Sequence, residues 1–217
     1  MTIRHHPADD LLLAHASGRL PTALTLVVGA HLETCARCRS TVRDLEALGG
    51  LLLDDLPPAP LPDAALARTL AAIDAPPAPR PPRALQAPPP LPPGAAWPRV
   101  LAGCAPTRWR WIGPGMHYAR VAVPYDPAAN LFLLRIAAGK YLPQHTHGGV
   151  EFTQVLHGRF HDGRALFDAG DFDAADGQVR HQPVVQEGGE CICLAALDGR
   201  VLFDGFVARR LGALVGM

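Results

Sequence analysis

The sequence predicts a multidomain chain: a small all-α unit at residues 1–75, a proline-rich linker at 76–98 and an all-β domain at 99–217. Three observations carry that division. Apolar residues ahead of the prolines recur at helical spacing. Of the 23 prolines, 15 fall between Pro57 and Pro98, which marks that stretch as the connection. Beyond it the pattern changes to short apolar runs separated by Asp-Gly turns.

Taken in order, Asp9 to Ser17 reads as a short helix stopped by Gly18. Pro21 opens a second helix that runs to about His31 or Cys35, and a third covers roughly Cys38 to Leu53. The proline-dense stretch cannot sustain a helix or a central strand, because each ring removes an N–H donor, and it favours extended segments. One helical island interrupts it from Asp63, the expected N-cap, to Ile73, with Leu66, Leu70 and Ile73 on one face. So short a helix is marginal alone, so it is expected to dock on the other helices or on a partner. Strands are expected at Tyr118 to Val123, Leu131 to Ala137, Phe152 to Leu156 and Cys191 to Leu197. Asp162-Gly163, Asp176-Gly177 and Asp198-Gly199 are the hairpin signals, and Trp109 and Trp111 are expected in the β core or its cap.

Composition narrows the function. The chain has 217 residues, 48% apolar, with a formal net charge of zero, so it lacks the basic footprint of a direct nucleic-acid binder. No stretch approaches the roughly 20 apolar residues of a membrane-spanning helix, and the start is too polar for a signal peptide. Five cysteines, an odd number, suit a reducing compartment better than a disulfide framework, and the expectation is a cytoplasmic protein.

Two groups of metal-ligand residues stand out. His31 and Cys35 lie four apart on the second helix and share a face, and Cys38 follows at the turn into the third. Three ligands then converge, and tetrahedral zinc needs a fourth. His6 is the candidate and His5 its rival. The other reading of Cys35 and Cys38, a redox pair, wants a βαβ setting that this helical stretch lacks. His31-x3-Cys35-x2-Cys38 on a short helical unit resembles the zinc-binding anti-sigma domain, whose fourth ligand is an upstream histidine. The resemblance implies a 1:1 complex with an extracytoplasmic-function (group IV) sigma factor. Through Ala75 the unit carries nine acidic residues against six arginines, a balance that suits a basic partner surface. Leu66, Leu70 and Ile73 are the candidate partner-binding residues.

In the second half the spacing is Gly139-x5-His145-x-His147-x3-Glu151-x6-Gly158, with Gly170 and His181 further on. His145 and His147 alternate onto one face of an extended segment, and Glu151 returns beside them from the next strand. The pattern resembles the cupin motifs over roughly Trp109 to Phe203, although Asp176 stands where the family usually has proline and Val185 where it often has asparagine. It implies a small β-barrel with a metal held by His145, His147, Glu151 and His181. That set suits iron, manganese or nickel with open positions, or zinc at four-coordinate closure. Zinc is preferred because the helical unit also points to it. Cys191 and Cys193, two apart on an apolar strand, are expected to be buried structural thiols.

The combination, with Met1-Thr2-Ile3-Arg4-His5-His6 and Glu190-Cys191-Ile192-Cys193-Leu194-Ala195-Ala196, is similar to the cupin anti-sigma factors of the ChrR type. That similarity implies a non-enzymatic transcription regulator that sequesters its sigma factor. It would release it under oxidative stress such as singlet oxygen, with the cupin unit as sensor. The rival expectation is a cupin dioxygenase or isomerase with an accessory helical unit, in which the same four ligands hold a catalytic metal.

Overall fold

Helices α1 (Asp9–Ala16), α2 (Thr22–Thr34), α3 (Ala36–Asp54) and α4 (Ala65–Asp74) precede the β region. The structure, a computed structural model, describes residues 2–76 and 90–204, so much of the expected linker lies outside the described residues. Asp9 and Asp10 occupy the first turn of α1, where carboxylates favour the positive end of the helix dipole. α2 is buried along most of its length, including Leu24, Val27, Val28 and His31, because it has neighbours on more than one side. Gly29 belongs to that packing: a Cβ there would lie 2.9 Å from Val100 Cγ2, so glycine admits the chain that leads into the β domain.

The strands are β1 (Ala105–Pro106), β2 (Arg110–Gly113), β3 (Met116–Ala122), β4 (Leu131–Ile136), β5 (His145–His147) and β6 (Val150–His157). They continue with β7 (Arg159–His161), β8 (Leu166–Asp168), β9 (Phe172–Ala175), β10 (Val184–Val185), β11 (Cys191–Asp198) and β12 (Val201–Phe203). A seven-stranded sheet runs β1-β3-β4-β11-β6-β9 with β2 against β3, beside the smaller sheets β10-β7-β8 and β12-β5. Isolated bridges at Tyr141–Val184 and His145–His181 join the smaller sheets. β11 is the central strand, pairing Cys191 with Ile136 through to Ala196 with Leu131 on one side and β6 on the other. Its near-continuous apolar run follows from burial on both faces. Gly158, at φ 73°, makes the turn out of β6, where a Cβ would collide with the Glu190 carbonyl.

The helical unit and the β domain share a core. Leu12, Val27 and Val28 belong to the same buried cluster as Val121, Leu133, Phe152, Phe172 and Leu194. Glu33, near the end of α2, accepts hydrogen bonds from the backbone N–H of Arg99 (2.9 Å) and Val100 (2.6 Å), capping the 3₁₀ turn Arg99–Leu101 that opens the β domain. The sequence pattern of two tethered halves did not include this interface.

Other local expectations are corrected. The N-cap of α4 is Ala64, not Asp63, and makes no side-chain cap. Only Asp162-Gly163 closes a hairpin, between β7 and β8. Asp176-Gly177 and Asp198-Gly199 turn the chain between strands that pair elsewhere. Trp111 is 66% exposed rather than core, while Trp109 is partly buried against the shared cluster.

Candidate metal centres

At the helical centre the structure brings together His6, His31, Cys35 and Cys38, with one ligand atom of each within 4.8 Å of the others. Cys35 is the residue between α2 and α3, and its Sγ also accepts from the Cys38 N–H at 3.5 Å. His6 Nδ1 lies 3.4 Å from both Cys35 Sγ and Cys38 Sγ. Tetrahedral zinc with ordinary bond lengths sets sulfur and nitrogen about 3.5 Å apart, so these separations match two ligands of one ion. His31 Nε2 is buried and has no hydrogen-bond partner, as a metal-directed lone pair would be. Burial pushes the His31 imidazole down to about 4, so it is neutral near pH 7. His5, the rival ligand, points away: its Nε2 sits 3.1 Å from the Leu166 carbonyl and its ring lies against Phe167.

At the barrel centre His145 and His147 come from β5, Glu151 from β6 and His181 from the chain before β10, all buried and again within 4.8 Å. His145 Nδ1 is 2.8 Å from the Pro143 carbonyl, which can only accept, so that nitrogen carries the hydrogen and Nε2 offers a lone pair. His181 Nδ1 faces Asp162 Oδ2 at 3.5 Å, which favours the same tautomer. The two Nε2 atoms are 3.0 Å apart, where two lone pairs repel unless a cation lies between them. His147 Nε2 is 2.8 Å from Glu151 Oε2, another separation that suits two ligands of one ion. Burial disfavours the Glu151 carboxylate, but the three imidazoles outweigh it and hold the acid below its ordinary value. Both donor sets therefore fit a divalent metal.

Beside the barrel centre is a cavity of about 40 Å³, lined by Leu134, Ile136, Phe160, Cys191 and Cys193 along with Glu151 and His181. It has room for a few water-sized molecules. Cys191 and Cys193 are buried with their sulfurs 3.7 Å apart.

Residues 98–198 match the ChrR cupin-like domain family. The anti-sigma-E factor ChrR of Cereibacter sphaeroides is 40% identical to the chain, and the similarity covers 96% of each. The chain belongs to the ChrR family of anti-sigma factors. It is also similar to the crystal structure of Rhodobacter sphaeroides SigE in complex with the anti-sigma ChrR, at 38% identity and a TM-score of 0.73, over 91% of this chain and 100% of that one. Membership of the ChrR family makes the protein a regulator and sets aside the dioxygenase or isomerase reading.

The third group of expected residues is on α4. Leu66, Leu70 and Ile73 are 71%, 52% and 72% exposed, and α4 has no buried residue. Of the two expectations for this helix, docking on the other helices or on a partner, the first is not seen among the described residues. Leu51, Leu52, Leu53 and Leu56, around the end of α3, are exposed as well.

Several residues at the two centres carry no sequence signal of that role. Asp162 accepts from the Arg164 and Ala165 backbone N–H groups and from Arg164 Nε, which together with His181 hold it well below the usual carboxylate range despite burial. Arg164 also donates to both oxygens of Asp173, at 2.9 and 2.8 Å. This network, in which a half-exposed arginine joins two buried carboxylates, fixes the acceptor that the His181 ring faces. Asp171 accepts from the Arg4 and His5 backbone N–H groups at 2.7 and 3.1 Å and from the Asp168 N–H at 2.9 Å, holding the segment just ahead of His6.

Proposed function

We propose that the protein is a cytoplasmic anti-sigma factor that sequesters an extracytoplasmic-function (group IV) sigma factor in a 1:1 complex and releases it under oxidative stress such as singlet oxygen. Residues 1–75 form the inhibitory unit, 76–98 the connection and 99–217 the sensor. His6, His31, Cys35 and Cys38 hold zinc, and His145, His147, Glu151 and His181 hold zinc or another divalent metal. A bound zinc at the helical centre would cross-link the N-terminal segment, α2 and α3, which supplies folding free energy rather than reactivity.

The observation that carries the reading is the exposed apolar face of α4. A ten-residue helix is marginal in water and gains stability when such a face enters a groove on a partner. The relative's sigma-factor complex supports the choice of partner. Membership of the family supports inhibition as the outcome, and no helix among the described residues is long and apolar enough to cross a membrane. Sensing is assigned to the barrel because its buried imidazoles and thiols are oxidisable side chains around a cavity that admits only water-sized molecules.

The test is co-expression with candidate sigma factors, pull-down, and a sigma-dependent reporter with and without singlet oxygen. Stable 1:1 capture, repression in the dark and induction by the oxidant are expected. A folded, metal-loaded protein that captures none of the organism's group IV sigma factors would refute the assignment.

A further inference from the structure

The outer wall of a barrel normally carries polar residues because it faces water. Gln154 stands on that wall: on β6, Glu151 and Thr153 border the inner cavity, and Gln154, alternating with them, lies on the other face. Yet Gln154 is only 1% exposed, because α2 covers it. A buried amide is costly unless paired. Its Oε1 lies 3.0 Å from His31 Nδ1, across 123 residues of sequence.

That contact fixes chemistry as well as position. An amide oxygen only accepts, so His31 Nδ1 must carry the hydrogen, which leaves Nε2 with the lone pair. Nε2 is the atom without a hydrogen-bond partner in the group with His6, Cys35 and Cys38. A second barrel residue holds the same ring: Phe172 of β9 meets it edge-on, with centroids 5.7 Å apart and planes at 69°. The cysteines, by contrast, lie where α2 passes into α3, Cys35 between the two helices and Cys38 in the first turn of α3.

We propose that Gln154 is a positioning residue for the helical metal centre: it sets the tautomer and orientation of His31, so the barrel completes a centre whose four ligands all lie in the helical unit. The inference rests on the reading of His6, His31, Cys35 and Cys38 as a metal site.

The test loads the full-length chain with Co²⁺. Thiolate-to-cobalt absorption reports only the centre with Cys35 and Cys38, since the barrel ligands are nitrogen and oxygen. Chelator competition followed at that band gives the affinity, and far-UV circular dichroism with thermal melting checks the fold. Gln154→Leu keeps much of the volume and loses the acceptor, and should weaken cobalt binding about 10- to 100-fold and shift the d–d bands. Gln154→Glu keeps an acceptor and should retain the wild-type spectrum and affinity. Wild-type binding in a folded Gln154→Leu protein overturns the proposal. So does a Gln154→Glu protein that loses cobalt, and this second variant decides the matter if the first does not fold. Absence of the thiolate band in the wild type would overturn the metal-site reading itself, a result distinct from loss confined to the variants.

Discussion

Glu151 and Gln154, three residues apart on β6, project to opposite sides of the barrel wall: the carboxylate joins His145, His147 and His181, and the amide meets His31 of the helical unit. One strand therefore carries side chains of both centres. Movement of β6 when a ligand is lost inside the barrel would act directly on the covered face outside it. Such movement can favour partner release only if it changes the free energies of the bound and released states by different amounts.

Replacing Cys38 with serine should remove the helical metal. Structural zinc contributes on the order of 10 kcal/mol to folding in zinc-finger peptides, more than the buried contacts of so small a unit can replace. We expect α1 to α3 to lose helicity, seen by far-UV circular dichroism, and the sigma factor to be released in pull-down. Wild-type helicity and binding after chelation of the variant would refute a structural role for the metal.

On α4, Leu70→Asp should separate binding from stability. Leu70 is half exposed, so the change should move folding stability by no more than about 0.5 kcal/mol. Burying one leucine against a partner contributes about 1.5–3 kcal/mol, so affinity should fall at least tenfold, with zinc content unchanged. Titration calorimetry against the sigma factor measures this, and equal affinities would remove α4 from the interface.

Inside the barrel, His147→Ala should lower metal content by one equivalent per chain and leave repression of the reporter intact. It should also abolish induction by singlet oxygen. Full induction in this variant would place sensing outside the barrel, most simply at Cys35 and Cys38.

Proton release gives an independent reading of the helical centre. Burial, with the neighbouring Cys35, pushes the Cys38 thiol up to about 12, whereas burial pushes His31 down to about 4. Near pH 7 the metal-free chain therefore holds a proton on Cys38 and none on His31. Zinc binding should release at least one proton, and affinity should rise about tenfold per pH unit for each proton released. Calorimetry in buffers of different ionisation enthalpy counts them, and release of less than one would contradict thiolate ligation by Cys38. His31 also affects the metal-free fold. Its folded-state value lies below the ordinary 6.5, so its contribution is present above that pH and is lost as pH falls from 6.5 towards about 4.

The sequence displays the residues that meet through local geometry. His31, Cys35 and Cys38 fall together because a helical turn and a tight junction bring near neighbours onto one side. His145, His147 and Glu151 do so because strand alternation has a period of two. Gln154, Asp171 and the pair Asp162 and Arg164 are silent because their importance depends on what is packed over them. Gln154 meets His31 across 123 residues, and Asp171 holds His5 across 166. The Asp-Gly pairs show the same limit from the other side: they mark where the chain turns, while strand partners are chosen by long-range pairing, so only one of the three closes a hairpin.

Glu33 has a topological consequence. Because its carboxylate fastens the end of α2 to the backbone at Arg99 and Val100, the excursion through α3, α4 and the prolines begins and returns at one place. The first part of that excursion is held as well by Cys38 and Val42 of α3, which lie in the shared core. A protease cut between residues 77 and 89 should leave both pieces migrating as one particle, because the shared core and the Glu33 clasp, rather than peptide continuity, hold the body together. On this view a sigma factor can be let go while the two halves stay joined, by a change confined to the exposed face of α4.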